Sequence, residues 1–203
     1  MTAPAKGLRL KRAFDVTVAA LVLLVTWPIL LVIAVWVRLD SRGPALFRQE
    51  RVGLNGAIFR IHKFRSLQVD ASGPRVSAMG DRRVTRVGAI LRKSKLDEIP
   101  QFLDVLLGHM SLVGPRPELP HFVAMWPERD RDLILSVRPG ITDPASIAFR
   151  DEADVLAASD DPERHYASVL LPRKTAMYVD YVQSRSFAAD LRILLQTVRV
   201  VVS

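Results

Sequence analysis

"FDVTVAALVLLVTWPILLVIAVWV", residues 14 to 37, decides how this chain is organised. From Val16 to Val37 no residue carries a charge, a run of 22. That is long enough for a membrane helix. A secretory signal would have a shorter apolar core and end at a small-residue cleavage site. Here the run leads into "RLDSRGP", which has no such pattern. Two features argue against a simple span. Pro28 stands near the middle, lacks a backbone donor and crowds the Leu24 carbonyl. Both flanks are basic: Lys6, Arg9, Lys11 and Arg12 precede the run, and Arg38, Arg42, Arg48 and Arg51 follow it. Basic flanks favour the cytoplasmic side. A helix that enters, breaks at Trp27–Pro28 and returns keeps both flanks there. Its halves would measure about 18 Å and 15 Å, each near half of a hydrocarbon core of roughly 30 Å. The Thr26 hydroxyl is the expected partner of the freed carbonyl, and Asp15 is expected to pair with Arg12 or a later cation at the entrance. On these grounds alone a kinked spanning helix stands as the equal alternative.

The 203 residues suit one domain with an appendage. The division expected is an N-terminal membrane segment, 1–40, and a domain of residues 41–203. Hydrophobic residues make up 49%, too many for a disordered chain. Cysteine is absent, which excludes a disulfide framework, a thiolate metal site and a cysteine nucleophile. His62, His109, His121 and His165 lack zinc-ligand spacing. The net charge of +8 implies an anionic partner: nucleic acid, anionic lipid or a phosphorylated substrate.

Beyond the apolar run, "ALFRQERV" and "AIFRIHKF" alternate around "GLNG" and predict a short hairpin. A Ser-, Gly- and Pro-containing loop is expected over 67–80. A helix should start near Thr85 with Val87, Ile90 and Leu91 on one face. Ser94 is expected to cap a second helix, "KLDEIPQFLDVLLG", through a capping box with Asp97, and Gly108 to stop it. "SLVGPRPELP" and "VRPGITDP" read as turns and loop. The last segment, "FAADLRILLQTVRVVV", suits either a core helix or one lying on a membrane surface. The fold class expected is α+β, mostly helical: a membrane segment, re-entrant or kinked and spanning, a short hairpin and a compact domain with amphipathic interfacial helices.

The chemistry gathers around "LRKSKLDEIPQF", residues 91–102. Asp97 and Glu98 are adjacent and should diverge by about 100° on a helix. One can then hold a divalent cation while the other attacks or takes a proton. Arg82, Arg83, Arg86, Arg92, Lys93 and Lys95 precede them; Lys63 and Arg65 lie in "HKFRS". Arg116 stands between Pro115 and Pro117, which fix its backbone. Such a set suits a polyphosphate. A carboxylate approaches an anionic phosphorus only if the phosphoryl charge is neutralised. Taken alone, the acid pair is better read as a solvated helix start. No P-loop or dinucleotide fingerprint is present.

"KRAFDV", "GPALFRQERVGLNGAIFRIHKFRS", "DRRVTRVGAILRKSKLDEIPQFLDVLLGHMSLVGPRPELP" and "RPGIT" occur in that order across most of residues 11–142. In this set the chain resembles the bacterial sugar transferases, the small monotopic polyprenyl-phosphate phosphoglycosyl transferases. The resemblance implies transfer of sugar phosphate from a UDP-sugar to polyprenyl (undecaprenyl) phosphate with Mg2+, releasing UMP. This would be the initiating step of a bacterial surface glycoconjugate. It implies Asp97 as the nucleophile of a two-step covalent route and Glu98 as metal ligand. It implies Lys63, Arg65, Arg92 and Arg116, held by Pro115 and Pro117, as phosphate ligands. A re-entrant helix broken at Trp27–Pro28, contact with phospholipid and a site at the cytoplasmic face of the bacterial inner membrane follow as expectations; a homodimer is left open. The chain departs from the family pattern at Trp27, Lys95, His109 and in "PGITDPASIAFRDE", a region with a bearing on sugar choice. The rival reading is a non-catalytic, membrane-tethered basic protein that binds nucleic acid or anionic lipid. It gives no reason for the acid pair or for Pro-Arg-Pro, so nucleic acid is not an expected partner.

Overall fold

The computed structural model describes residues 5–69 and 73–202. Part of the loop expected over 67–80, residues 70–72, lies outside the described residues. Helix α1 runs over Ala5–Asp40, 36 residues with Pro28 inside. That is about 54 Å of helix contour. The expected interruption at Trp27–Pro28 is not found: the helix continues through both residues. Proline removes one donor and leaves the flanking turns their own bonds. The Thr26 hydroxyl donates to the Val22 carbonyl at 2.7 Å and not to Leu24, so it reinforces the turn before the proline.

The two ends of α1 pack on protein, whereas its middle does not. Leu24 is 69% and Val25 73% exposed, but Ala19, Ile33 and Val37 are buried. At the start, Lys11 donates to Asp190 Oδ2 at 2.6 Å, and Arg12 donates to the Val105 carbonyl at 2.8 Å. Asp15 accepts from the Ser111 hydroxyl at 2.7 Å. Its expected partner Arg12 is committed to backbone carbonyls, and Lys11 stands 4.0 Å away. At the far end, Asp40 accepts from the Val87 amide.

Strands β1 (Leu46–Val52) and β2 (Ile58–Phe64) form the antiparallel hairpin, in register Leu46 with Phe64 and Val52 with Ile58. Asn55 closes its turn with φ 54°, a left-handed conformation that asparagine tolerates. Helix α2 (Arg86–Lys93) begins at Thr85, whose hydroxyl accepts from the Gly88 amide. Val87 and Leu91 are buried, but Ile90 is half exposed and lies off the expected face. Ser94 ends this helix and starts none: its hydroxyl donates back to Ile90 and Leu91, so no capping box with Asp97 forms. Lys95 then turns left-handed (φ 57°), and Leu96–Glu98 make a single 3-10 turn. Helix α3 (Gln101–Leu106) follows directly after Pro100 and stops before Gly108, at φ 86°.

"SLVGPRPELP" and "VRPGITDP" are more than turns. Strand β3 (Ser111–Val113) pairs in parallel with β4 (Gly140–Thr142). The pairing needs glycine at close approach, since a Cβ on Gly140 would fall 2.1 Å from the Gly114 nitrogen. Between these strands lie α4 (Pro120–Val123) and α5 (Glu128–Leu135). After them come α6 (Pro144–Ala148), α7 (Glu152–Ala157) and α8 (Pro162–His165). A π-helical turn over Tyr166–Leu170 then leads into α9 (Leu171–Ser184) and α10 (Phe187–Val202). The architecture is mostly helical with two small sheets.

One buried cluster, around Phe122, Trp126, Leu170 and Tyr178, lies beneath the Pro-Arg-Pro loop. A second joins the hairpin (Phe59, Ile61) to Ala19, Val105, Tyr181 and Ile193. A third joins Ile33 and Val37 to Phe64, Val87 and Leu91. Thus α10 contributes Ile193 to the core yet leaves Leu195 and Val198 exposed.

Candidate active site

The left-handed Lys95 reverses the chain after α2 and delivers the 3-10 turn that carries Asp97 and Glu98. Strand β2 brings Lys63 to them from the side. Its ammonium lies 2.8 Å from Asp97 Oδ2 and donates to Glu98 Oε1 at 3.1 Å. The two carboxylates therefore meet on one lysine instead of diverging; a tight single turn does not hold the 100° spacing of an α-helix. Arg116 grips Glu98 with both terminal nitrogens, at 2.7 Å to Oε1 and 3.4 Å to Oε2. Its loop is fixed through backbone groups. The Pro115 carbonyl accepts from the Gly140 amide at 2.9 Å, and the Pro117 carbonyl from Arg51 at 3.1 Å. Glu118 is pinned from below by the Tyr166 hydroxyl at 2.5 Å, with Lys174 3.8 Å away.

The two acids differ sharply in surroundings. Burial pushes the Glu98 carboxyl up, but the charges and hydrogen bonds of Arg116 and Lys63 outweigh it and hold the group well below the usual carboxylate range. Arg116 is in turn raised, chiefly by Glu98. Asp97 is only 1% exposed, yet neither of its oxygens receives a directed hydrogen bond among the described residues. Its partner is the Lys63 ammonium at 2.8 Å, which leaves most of its acceptor capacity unused.

Arg92 stays at the site. Its Nε donates to the Ser66 hydroxyl at 2.8 Å, and its guanidinium is within electrostatic reach of Asp97 and Glu98. Arg65 does not. Its guanidinium is buried against the end of α1, donating to the carbonyls of Val37 (3.2 Å), Ser41 (2.7 Å) and Arg42. Its expected role as a phosphate ligand is therefore replaced by capping of a helix end. The reason is local: β2 ends at Phe64, so strand alternation no longer places Arg65 beside Lys63.

Sequence reasoning also missed Ser66, Gln101 and the buried pair His62–Asp104. Asp104 accepts from the main-chain nitrogen of His62 and contacts its ring Nδ1, both at 2.8 Å. Only the spacing of Gln101 and Asp104, three residues apart on α3, could have flagged them. His109 stands 5.5 Å, centroid to centroid, from Phe59 at the edge of this pair. Asp143, in the divergent "PGITDPASIAFRDE" segment, is fully buried and accepts from the Ala145 and Ser146 amides at the start of α6.

Among the described residues no three acidic or imidazole groups form a metal cage. Asp97 and Glu98 are nonetheless a donor set that fits Mg2+, which binds through one or two carboxylates and completes its shell with water and substrate phosphates. The undonated oxygens of Asp97 leave room for that use. Around this pair stand Lys63, Arg92 and Arg116, three cations against two anions. The arrangement can take up a diphosphate and present a carboxylate oxygen to its phosphorus.

A buried acid paired with Lys63 thus stands beside an acid locked to a clamped arginine. The family model for bacterial sugar transferases matches residues 6–203, and the chain belongs to that family. It is 41% identical over 195 residues to the UDP-glucose:undecaprenyl-phosphate glucose-1-phosphate transferase of Caulobacter vibrioides, covering 93% of this chain and 68% of that protein. It is 39% identical over 198 residues to the protein of the same name from Escherichia coli K12, covering 93% of this chain and 39% of the relative. Against the UDP-N-acetylgalactosamine-undecaprenyl-phosphate N-acetylgalactosaminephosphotransferase of Aeromonas hydrophila, identity is 36%, with 96% and 44% covered. The chain thus spans less than half the length of two of these three relatives.

Proposed function

We propose that this protein transfers a sugar phosphate from a UDP-sugar to polyprenyl phosphate by a two-step route through Asp97. The observation that supports this reading is the buried Asp97 carboxylate, which receives no directed hydrogen bond among the described residues and is ion-paired with Lys63 at 2.8 Å, next to the Arg116-bound Glu98. Asp97 attacks the sugar-proximal phosphorus, and UMP leaves with the bonding electron pair. Polyprenyl phosphate then attacks the phosphoryl-Asp97 and regenerates the carboxylate. Splitting the displacement in two lowers each barrier. Lys63, Arg92 and Arg116 bind the diphosphate oxygens and offset the repulsion between carboxylate and phosphate. Asp97 and Glu98 would hold Mg2+, which supplies further charge neutralisation at phosphorus. The relatives' substrates include UDP-glucose and UDP-N-acetylgalactosamine, so the proposal stops at a UDP-hexose.

For topology we propose a re-entrant arrangement at the cytoplasmic face in which α1 is kinked at Pro28 and stays helical through it. Support comes from both ends of α1: Lys11 and Arg12 at one end, and Val37 and Asp40 at the other, bond to the same folded body. A span would put a hydrocarbon core between them. The exposed apolar middle of α1 and the stripe Leu191, Leu195 and Val198 on α10 are suited to lipid. Cysteine labels near residue 9 and beyond residue 40 should share one side of the membrane; opposite sides would overturn the topology. For the activity, purified protein given a panel of UDP-sugars, Mg2+ and undecaprenyl phosphate should release UMP with one or more of them. No UMP from any sugar would overturn the reading.

A further inference from the structure

Asp97 is not the only buried polar group near this site without a directed hydrogen bond among the described residues. Gln101, the first residue of α3, is 1% exposed, and its Nε2 has no hydrogen-bond partner among the described residues. An amide N–H shut away from water and left unpaired lowers stability, and a methionine would fill similar space without that penalty.

The direction of this side chain follows from its neighbour on the helix. Asp104, three residues on and on the same face, holds the main chain and the ring of His62 at 2.8 Å each. That face of α3 therefore lies against β2, whose next residue, Lys63, reaches Asp97 at 2.8 Å. Gln101 lies one turn nearer to Asp97 than Asp104 does, four residues after it in the chain. Asp97 offers open acceptors and Gln101 an open donor, and neither satisfies the other. A ligand seated on Asp97 that presents acceptor oxygens would complete the amide.

We propose that Gln101 is a further catalytic residue that contacts the transferred group. Its Nε2–H donates to a non-bridging oxygen of the phosphoryl group that Asp97 receives. The inference rests on the transfer reading above. In the first step the bond from Asp97 Oδ to phosphorus forms, and the bond from phosphorus to the UMP oxygen breaks. UMP takes the electron pair, and no proton moves at Gln101. The neutral amide orients the oxygens and meets the charge they carry as the displacement proceeds.

The test uses the full chain with UDP-sugar, Mg2+ and undecaprenyl phosphate, and compares wild type with Gln101→Met and Gln101→Glu. Turnover is read as UMP release and folding as Tm. Gln101→Met should keep or raise Tm, leave KM within a few-fold, and lower kcat at least tenfold. Gln101→Glu, nearly isosteric, should lower kcat further because it sets an anion against phosphoryl oxygens. A folded Gln101→Met protein with wild-type kcat overturns the inference: the amide then meets only water or packs. If Gln101→Met does not fold, a folded Gln101→Glu protein of wild-type kcat overturns it equally. Absence of UMP release by the wild type overturns the transfer reading, and this inference with it, and is distinct from an active wild type with unaffected variants.

Discussion

Lys63 and Arg65 sit two residues apart in one short basic motif, and the structure uses them in two different regions. Lys63 reaches into the acid centre and touches both carboxylates. Arg65 turns away and closes the end of α1, its terminal nitrogens taken by three backbone carbonyls. The first region keeps the Asp97 oxygens and the Gln101 amide without a directed hydrogen bond among the described residues. In the second, the terminal nitrogens of Arg65 are all taken up by carbonyls, and Arg65 Nε and Ser41 Oγ are left over. A cation marks a ligand site only when its donors are still available, and sequence does not report that.

Substitutions can break or sharpen this contrast. Asp97→Asn should cause the largest effect, lowering turnover on the order of 10⁴-fold while the protein stays folded, as read by UMP release and thermal unfolding. Arg116→Lys should cost turnover about 10- to 100-fold. It loses the two-pronged grip on Glu98 and the fixed fork toward phosphate, although the charge is kept. Arg65→Met should do the opposite of both. We expect about 2 kcal/mol less stability in chemical denaturation, with unchanged turnover of the folded fraction. A loss of turnover at full stability would return Arg65 to the phosphate site.

The smallest effect concerns pH. Glu98 titrates lower in the folded protein than in the unfolded chain, through Arg116 and Lys63. Its contribution to stability is therefore complete above the ordinary carboxylate range and is lost as pH falls through the depressed folded value. Unfolding measured from pH 7 down to pH 3 should show a loss of stability below about pH 4.3, and Glu98→Gln should flatten part of that slope. An unchanged slope in Glu98→Gln would mean that other carboxylates set it.

Much of the scaffold was legible in the sequence because it repeats a period. The hairpin follows alternation around "GLNG", helix α2 follows its Thr85 cap, and Gly108 stops α3. What escaped depends on contacts distant in the chain. Strands β3 and β4 have three residues each and are buried throughout β3, so no alternation reveals them. Ser94 has the side chain of an N-cap, but the left-handed Lys95 after it ends one helix before the next begins. The acid pair, Lys63 and Arg116 converge as the motifs implied. The sequence could not show that Glu98 is gripped by Arg116 and Lys63 while Asp97 meets Lys63, because that difference is made by which oxygens the 3-10 turn presents to the two cations.

The central claim is that Asp97 itself becomes phosphorylated by the sugar phosphate. Intact-mass measurement of the wild type mixed with its UDP-sugar and Mg2+, with no polyprenyl phosphate present, tests it directly. The account requires a mass gain of one sugar phosphate per chain, matched by one UMP released, mapped to Asp97 and absent from Asp97→Asn. UMP that is released only when polyprenyl phosphate is present, with no adduct on the chain at any time, would contradict it.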